Sequence, residues 1–163
     1  MNKTGSIEPL QIIHEGDTDI IVRRSFNHPP ERVWRAMTDP KLIPRWMASV
    51  DTMTRCDMDL RPSGSFRYEW GDAFYFSGPI LAVEEPHHMM HVEHFNGDTG
   101  SGTTVITDLA ARGTGTRMTI VMRYSNAEAR AAAIDIGMTD GFDEVYDRLE
   151  ALLAETSHAT IAG

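Results

Sequence analysis

The chain has 163 residues, of which 41% are hydrophobic and 24% charged, proportions that are typical of a single globular domain and exclude a disordered or fibrous protein. Fifteen Lys and Arg against 24 Asp and Glu leave a net charge of −9 with histidine neutral. Such a charge repels phosphate backbones and anionic lipids, so we expect neither nucleic acid nor a membrane as a partner.

Cysteine content and the opening residues bear on cellular location. Cys56 is the only cysteine, which excludes an intramolecular disulfide and a dithiol redox motif. Residues 1–6 lack the apolar core of a secretory signal, and the longest uncharged, fairly apolar stretch is only residues 73–83, far short of the roughly 18 to 20 residues of a membrane span. We therefore expect a cytoplasmic protein.

The first elements follow from β-branched content and from the positions of prolines. Residues 1–16 have no clear period, so we expect a loose leader or an extra edge segment there. The β-branched run 19–26 predicts a first strand, which a pair of prolines ends. A short helix is predicted over 31–37, and Asp39 is placed to cap a second short helix.

The next eighty residues change to the two-residue period of β-strands. The clearest case is 65–70, where Phe66, Tyr68 and Trp70 alternate with polar residues as in a half-buried strand. Glycines and prolines separate the segments as they do in hairpins. We predict an antiparallel meander with strands at 52–59, 65–70, 73–83, 89–95, 103–110 and 116–124.

The last predicted element is a long amphipathic helix over 125–155. Ser125 and Glu128 have the spacing of a capping box. Gly137 and Gly141 each cost a helix about 1 kcal/mol relative to alanine, so we expect a close backbone approach, a bend or space for a cavity there. The apolar positions recur at spacings of three and four residues, at Ile134, Met138, Phe142, Val145, Leu149 and Leu152.

Several short motifs, taken in order, resemble a known family. They are Asp39-Pro40 with Trp46 after it, the Arg-Pro-Ser-Gly-Ser-Phe turn at 61–66, Phe76-Ser77-Gly78 followed by Val83 and Pro86, Gly115-Thr116, and Gly141-Phe142. With the order of elements, they resemble the homologues of the activator of the heat-shock-protein-90 ATPase. That family is part of the START-like, polyketide-cyclase-like helix-grip superfamily (SRPBCC).

The resemblance implies an α+β helix-grip fold. In it, a curved antiparallel sheet of about six or seven strands is gripped by a long C-terminal helix, with two short helices after the first strand. It further implies a cavity for a small, largely apolar molecule between helix and sheet, and the family name suggests a chaperone partner. It supplies no catalytic set. We expect one helix-grip domain over 17–157, a tail at 158–163, and a monomer or homodimer.

Four histidines, His87, His88, His91 and His94, lie close enough in sequence to suggest a metal site. On a strand at ~3.3 Å per residue, His87 and His91 share a face but stand roughly 13 Å apart, too far for one ion to bridge. A helix would align them, but Pro86 and the resemblance both favour a strand. We therefore expect no metal. Nucleotide-binding glycine motifs are also missing from the sequence, and we expect no cofactor.

His91 and Glu93 are the candidates for catalysis. Strand alternation places them on one face, and the resemblance turns that face toward the cavity, where the family commonly has an aromatic residue in place of Glu93. An inward carboxylate is costly unless it is paired. Two alternatives stay open: a polar anchor that orients a ligand or acts as a general base, or a structural pair.

The predicted function is the binding of a small hydrophobic or amphipathic molecule. One alternative is a cyclase-, aromatase- or hydrolase-like enzyme acting on an aromatic or polyketide-type substrate, and a second is a chaperone-associated partner protein. Ten methionines would supply an adaptable apolar lining. The residues expected to line the cavity are Trp46, Phe66, Tyr68, Trp70, Phe74, Phe76, His91, Glu93, Met118, Ile120, Met122, Met138 and Phe142.

Overall fold

The computed structural model describes residues 8–47 and 52–162, the backbone alone from residue 156. The strands in this range are β1 (Gln11–Glu15), β2 (Asp19–Phe26), β3 (Arg55–Met58), β4 (Ser65–Trp70), β5 (Phe74–Glu84), β6 (His88–Phe95), β7 (Thr103–Arg112) and β8 (Gly115–Arg123). The helices are α1 (Pro30–Thr38), α2 (Ile43–Met47), α3 (Ala127–Asp135) and α4 (Phe142–Ala162). Within the described range, no helix is both long enough and apolar enough to cross a bilayer.

The strands form one antiparallel sheet in the order β1-β2-β8-β7-β6-β5-β4-β3. The predicted α+β helix-grip fold is confirmed, with a correction to the strand number: six or seven were expected, and the described residues form eight. The additional strand is β1, which lies within residues 1–16, where a loose leader or an extra edge segment was expected, and pairs with β2 at the edge of the sheet. It is short and has no alternating burial, so its sequence carries little strand signal.

Side-chain alternation sets the inner face of the sheet. In β4, Phe66, Tyr68 and Trp70 are buried, whereas the residues between them are exposed or half-buried, as predicted. The buried residues of β8 include Met118, Ile120 and Met122 in the same alternation. Because alternate residues of a strand point to opposite faces, these side chains build the surface on which the helices pack.

A close approach between β5 and β6 shapes the sheet near its middle. A Cβ atom on Gly78 would lie 1.8 Å from the carbonyl oxygen of Val92, so only glycine permits this backbone contact. Two residues further on, the register shifts between Ile80 and Ala82. Such a bulge bends the strand and increases its twist, which produces the concave face that the helices cover.

The prediction of a single helix over 125–155 is wrong, because this part of the chain forms two helices, α3 and α4. The N-cap of α3 is Asn126, whose side chain accepts from the backbone N–H of Ala129 at 2.7 Å, and not the adjacent Ser125. After α3, Gly137 adopts a left-handed φ of 79° and donates to Ile134, while Met138 donates to Ala133. This pair of bonds is a Schellman motif, which ends a helix and favours glycine at this position.

Helix α4 covers the inner face of the sheet beside α1 and α2. Its Tyr146 ring lies 6.3 Å from the ring of Phe26 and 6.1 Å from that of Trp46, and its Leu149 is fully buried. The guanidinium of Arg24 on β2 lies 2.9 Å from the carboxylate of Asp147. The contacts near the start of α4 therefore join it to both the sheet and α2.

Candidate functional site

A pocket of about 200 Å³ lies between the inner face of the sheet and the helices. Strands β4 to β8 supply its floor, and α1, α2, α4 and the segment between α3 and α4 close it from above. Ten of the thirteen residues that sequence analysis assigned to a cavity line this pocket. They are Trp46, Tyr68, Trp70, Phe76, His91, Glu93, Ile120, Met122, Met138 and Phe142.

The other three assigned residues lie outside the lining. Met118 is fully buried in the main core. The ring of Phe66 packs edge-on against that of His91 with 4.9 Å between centroids, and Phe74 stacks on Trp70 at 4.8 Å. These side chains share the inner face with pocket residues, but they support those residues and do not line the space.

Six lining residues were missed by the sequence analysis: Met37, Met47, Met89, Val105, Thr107 and Tyr146. For two of them a signal existed, because Val105 and Thr107 pair with Met122 and Ile120 on the neighbouring strand, and cross-strand partners share a face. Tyr146 also lies four residues after Phe142, hence on the same side of the helix. Met89 lies two residues before His91 on β6 and hence on the same face. The contacts of Met37 and Met47 depend on distances between elements far apart in sequence.

His91 and Glu93 form the polar part of the pocket. The His91 Nε2 lies 3.1 Å from the Glu93 Oε2, with 12% and 28% of the two side chains exposed. A carboxylate accepts, so Nε2–H is the donor. The other ring nitrogen, Nδ1, is buried and has no partner among the described residues. A proton on Nδ1 would therefore be a buried donor without an acceptor, which favours the neutral ring and leaves one negative charge on the pair.

The charge of Glu93 acts on three tyrosines. Burial, and secondarily the Glu93 carboxylate, raises the pKa of Tyr124 to about 12. Burial is also the main cause that raises the pKa of Tyr68 and Tyr146, with Glu93 contributing to both. These phenols therefore stay protonated at neutral pH, and as neutral hydroxyls they remain able to donate hydrogen bonds. The Tyr124 hydroxyl is buried and has no partner among the described residues.

A second, outer groove of about 400 Å³ adjoins the pocket. The two share Phe76, Glu93, Met122 and Met138, so Glu93 lies where one meets the other. The groove is bounded by α3 on one side and by the loop after β6 on the other. Two of its lining residues, Phe95 and Ile136, are large apolar side chains that are 45% and 74% exposed.

Of the other three histidines of the cluster, His87 and His88 have separate partners, whereas the buried Nδ1 of His94 has no hydrogen-bond partner among the described residues. His87 Nδ1 lies 2.9 Å from the Leu109 carbonyl, and His88 Nδ1 lies 2.7 Å from Asp108 Oδ1. In the part of the chain that the structure describes, no three His, Cys, Asp or Glu side chains are placed to hold a metal ion. His88 and His91 lie three residues apart on β6 and therefore point to opposite faces of the sheet.

Cys56 on β3 is the cross-strand partner of the lining residue Tyr68 but does not itself line the pocket. Burial, together with the nearby Asp57 carboxylate, raises the pKa of its thiol to about 11. A thiol with so high a pKa is almost entirely protonated at neutral pH and is a poor nucleophile. The chemistry of the site therefore rests on the His91–Glu93 pair.

Comparison with known families agrees with this geometry. The model of the family described as Activator of Hsp90 ATPase homolog 1-like protein matches residues 27–154. That range begins after β2 and includes every pocket residue. A search of curated proteins finds no match to the chain.

Solved structures of bacterial proteins share the fold over nearly their whole length. A protein from Rhodobacter sphaeroides is 30% identical, with a TM-score of 0.85 over 91% of this chain and 99% of that one. Protein Ms6760 from Mycobacterium smegmatis is 27% identical, with a TM-score of 0.80 over 89% of this chain and 97% of its own. Protein NE0264 from Nitrosomonas europaea shares the fold. It is 24% identical, with a TM-score of 0.78 over 89% of this chain and 99% of its own.

Proposed function

This chain belongs to the Activator of Hsp90 ATPase homolog 1-like protein family, and from the geometry of its pocket we propose that it binds a small, largely apolar molecule between the sheet and its helices. The observation that carries the proposal is the composition of the lining. Aromatic rings, methionines and aliphatic residues surround a single hydrogen-bonded carboxylate. Ligand sites have this form, with an apolar wall for affinity and few polar groups for orientation.

The expected affinity follows from the area that a ligand can bury. A ligand that buries ~300 Å² of apolar surface gains roughly 7 kcal/mol, from which association subtracts several kcal/mol. Apolar contact alone then gives weak binding, with a dissociation constant in the micromolar range or higher. A polar contact with Glu93 would add both affinity and selectivity.

Native mass spectrometry of freshly purified protein tests the proposal. We expect a mass adduct of a few hundred daltons that is lost on denaturation. Titration of the stripped protein with small aromatic alcohols should then give saturable binding. If none of the apolar probes bound to protein that circular dichroism shows to be folded, the proposal would be contradicted.

A second candidate function is an enzyme with Glu93 as general base, and one observation favours it. Glu93 lies in the pocket wall, keeps part of its side chain exposed, and is oriented by the His91 imidazole, as a positioned base must be. Glu93→Gln separates the two functions once a substrate is found. It would abolish turnover by a base, whereas a binder that recognises shape would keep much of its affinity.

The family name also suggests a chaperone partner, for which an exposed apolar surface would be required. The large exposed apolar side chains of the described residues are Ile12, Leu81, Phe95 and Ile136. Phe95 and Ile136 line the outer groove, and the strands that carry Ile12 and Leu81 are separated by four others. This distribution favours the pocket over a docking surface. A chaperone partner and a cytoplasmic location stay predictions.

A further inference from the structure

The carboxylic acids among the described residues that line the pocket or the outer groove are Glu93 and Asp98, and no lysine or arginine is present in that lining. The buried His91 Nδ1 has no acceptor for a second proton among the described residues, which favours the neutral ring. Arg24 acts on the lining residue Tyr146, but its guanidinium lies 2.9 Å from the Asp147 carboxylate, which compensates its charge. A ligand in this space therefore meets a net negative field.

The carboxylate of Glu93 is already half-satisfied before any ligand binds. His91 donates to its Oε2, but a neutral donor leaves the negative charge uncompensated. When a ligand displaces water from an apolar pocket, an unpaired charge becomes costly. A neutral ligand does not offset the cost of removing water from the Glu93 carboxylate, and an anionic ligand adds electrostatic repulsion to that cost. A cationic ligand offsets the cost by neutralising the carboxylate. The pocket therefore discriminates between ligands by charge.

Aromatic rings strengthen this preference. Six rings line the same pocket, those of Trp46, Tyr68, Trp70, Phe76, Phe142 and Tyr146. At about 200 Å³ the space is small, so a ligand that fills it contacts several rings and the carboxylate together. The face of an aromatic ring carries partial negative charge and attracts ammonium groups, most strongly in tryptophan. Walls of aromatic rings with a nearby carboxylate are the surroundings in which proteins recognise amines.

We propose that the ligand of this pocket is a hydrophobic amine, with its protonated nitrogen at Glu93 and its apolar body among the aromatic rings. This inference rests on the proposed function, since it assigns the chemical class of the bound molecule. Asp98 at the outer groove and the net charge of −9 attract the same cations from solution. The outer groove leads to Glu93, and a longer ligand extends into it.

Three probes of one shape test the inference: 4-tert-butylbenzylamine, 4-tert-butylbenzyl alcohol and 4-tert-butylbenzoate, titrated calorimetrically at pH 7. Benzylamine, benzyl alcohol and benzoate carry the same three head groups without the tert-butyl group, and they test whether the pocket admits only smaller ligands. We expect the amine to bind at least about tenfold more tightly than the alcohol, because both can donate a hydrogen bond to the Glu93 carboxylate but only the ammonium also neutralises its charge. The benzoate should bind most weakly.

Two variants show whether Glu93 is responsible. Glu93→Gln should weaken amine binding about tenfold while changing alcohol binding less than about threefold. Glu84→Gln removes the same charge from the exposed end of β5, outside both pocket and groove, and should change neither. It thereby controls for the net charge of the protein.

The outcomes separate the inference from the proposed function. Equal affinities for amine and alcohol in the natural protein would overturn the inference and leave apolar binding intact, and that comparison requires no variant to fold. Unchanged amine affinity in a folded Glu93→Gln variant would also overturn it. Failure of all six probes to bind would overturn both.

Discussion

The carboxylate of Glu150 on α4 joins the terminal helix to the chain segment that follows β2. Its Oε2 lies 2.9 Å from Nε2 of His28, and its Oε1 accepts from the backbone N–H of Asn27 at 3.0 Å. The His28 and Glu150 side chains are only 14% and 19% exposed. With the pair of Arg24 and Asp147, this contact holds α4 over the sheet, where Phe142 and Tyr146 form part of the pocket wall.

We expect Glu150→Ala to destabilise the fold by about 1 kcal/mol, because it leaves the largely buried His28 ring without its partner, whereas the exposed Asn27 N–H can bond to water instead. The free energy of unfolding in urea measures the effect. Glu144→Ala, at an exposed position of the same helix, is the control and should change stability by less than about 0.5 kcal/mol. Equal effects of the two substitutions would show that the Glu150 contacts add nothing to stability.

The break between α3 and α4 provides a second prediction. Gly137→Ala should cost about 1 to 2 kcal/mol, because φ is 79° there and a side chain disfavours the left-handed region. Its Cβ would also lie 2.5 Å from Asp140 Oδ2, so that carboxylate has to move.

Gly141→Ala is the matched control for this break. An added Cβ at Gly141 meets nothing within 4 Å, and its φ lies outside the left-handed region, so this substitution should leave the melting temperature unchanged or raise it. Were Gly137→Ala to be as stable as Gly141→Ala, the break would not depend on glycine at 137.

Two methionines of β8 distinguish pocket wall from core. Met122 lines the pocket and Met118 does not, although both are nearly fully buried. Each alanine substitution should cost about 2 to 5 kcal/mol. Only Met122→Ala should shift binding toward 4-alkylbenzyl alcohols with larger alkyl groups, because it alone widens the pocket. A similar shift in Met118→Ala, measured by calorimetry, would refute this assignment of the wall.

The thiol of Cys56 should react slowly. Since burial raises its pKa to about 11 from an ordinary 9.0, the native protein at pH 8 holds roughly a hundredfold less thiolate than the unfolded chain. Alkylation by iodoacetamide, followed by mass spectrometry, should be correspondingly slower in buffer than in urea and should accelerate as the pH approaches 11. Asp57→Asn should accelerate it only slightly, because burial is the larger cause. A native rate equal to the urea rate would contradict this prediction.

Local periods in the sequence were sufficient to predict most elements. The strands at 19–26 and 65–70 are observed at the predicted bounds, because alternation is a direct consequence of one buried face. The same alternation placed His91 and Glu93 on one face, where they are in contact. A bend was one of three expectations at Gly137 and Gly141, but one continuous helix was predicted, because apolar residues at Ile134, Met138 and Phe142 keep a helical spacing across the break.

Backbone conformation and distant contacts were decided by the tertiary structure. The sequence predicted that Gly137 is costly within a helix, but it did not predict the left-handed φ that ends α3 there. That φ belongs to the tertiary structure, in which the Met138 and Phe142 side chains that follow both line the pocket. Likewise, sequence showed that Met118 and Met122 face inward, and only the placement of α4 determined which of them borders open space. Periodicity in the sequence shows which face of an element is buried. The width of the gap between the sheet and α4 depends instead on the packing of residues more than a hundred positions apart, such as His28 and Glu150.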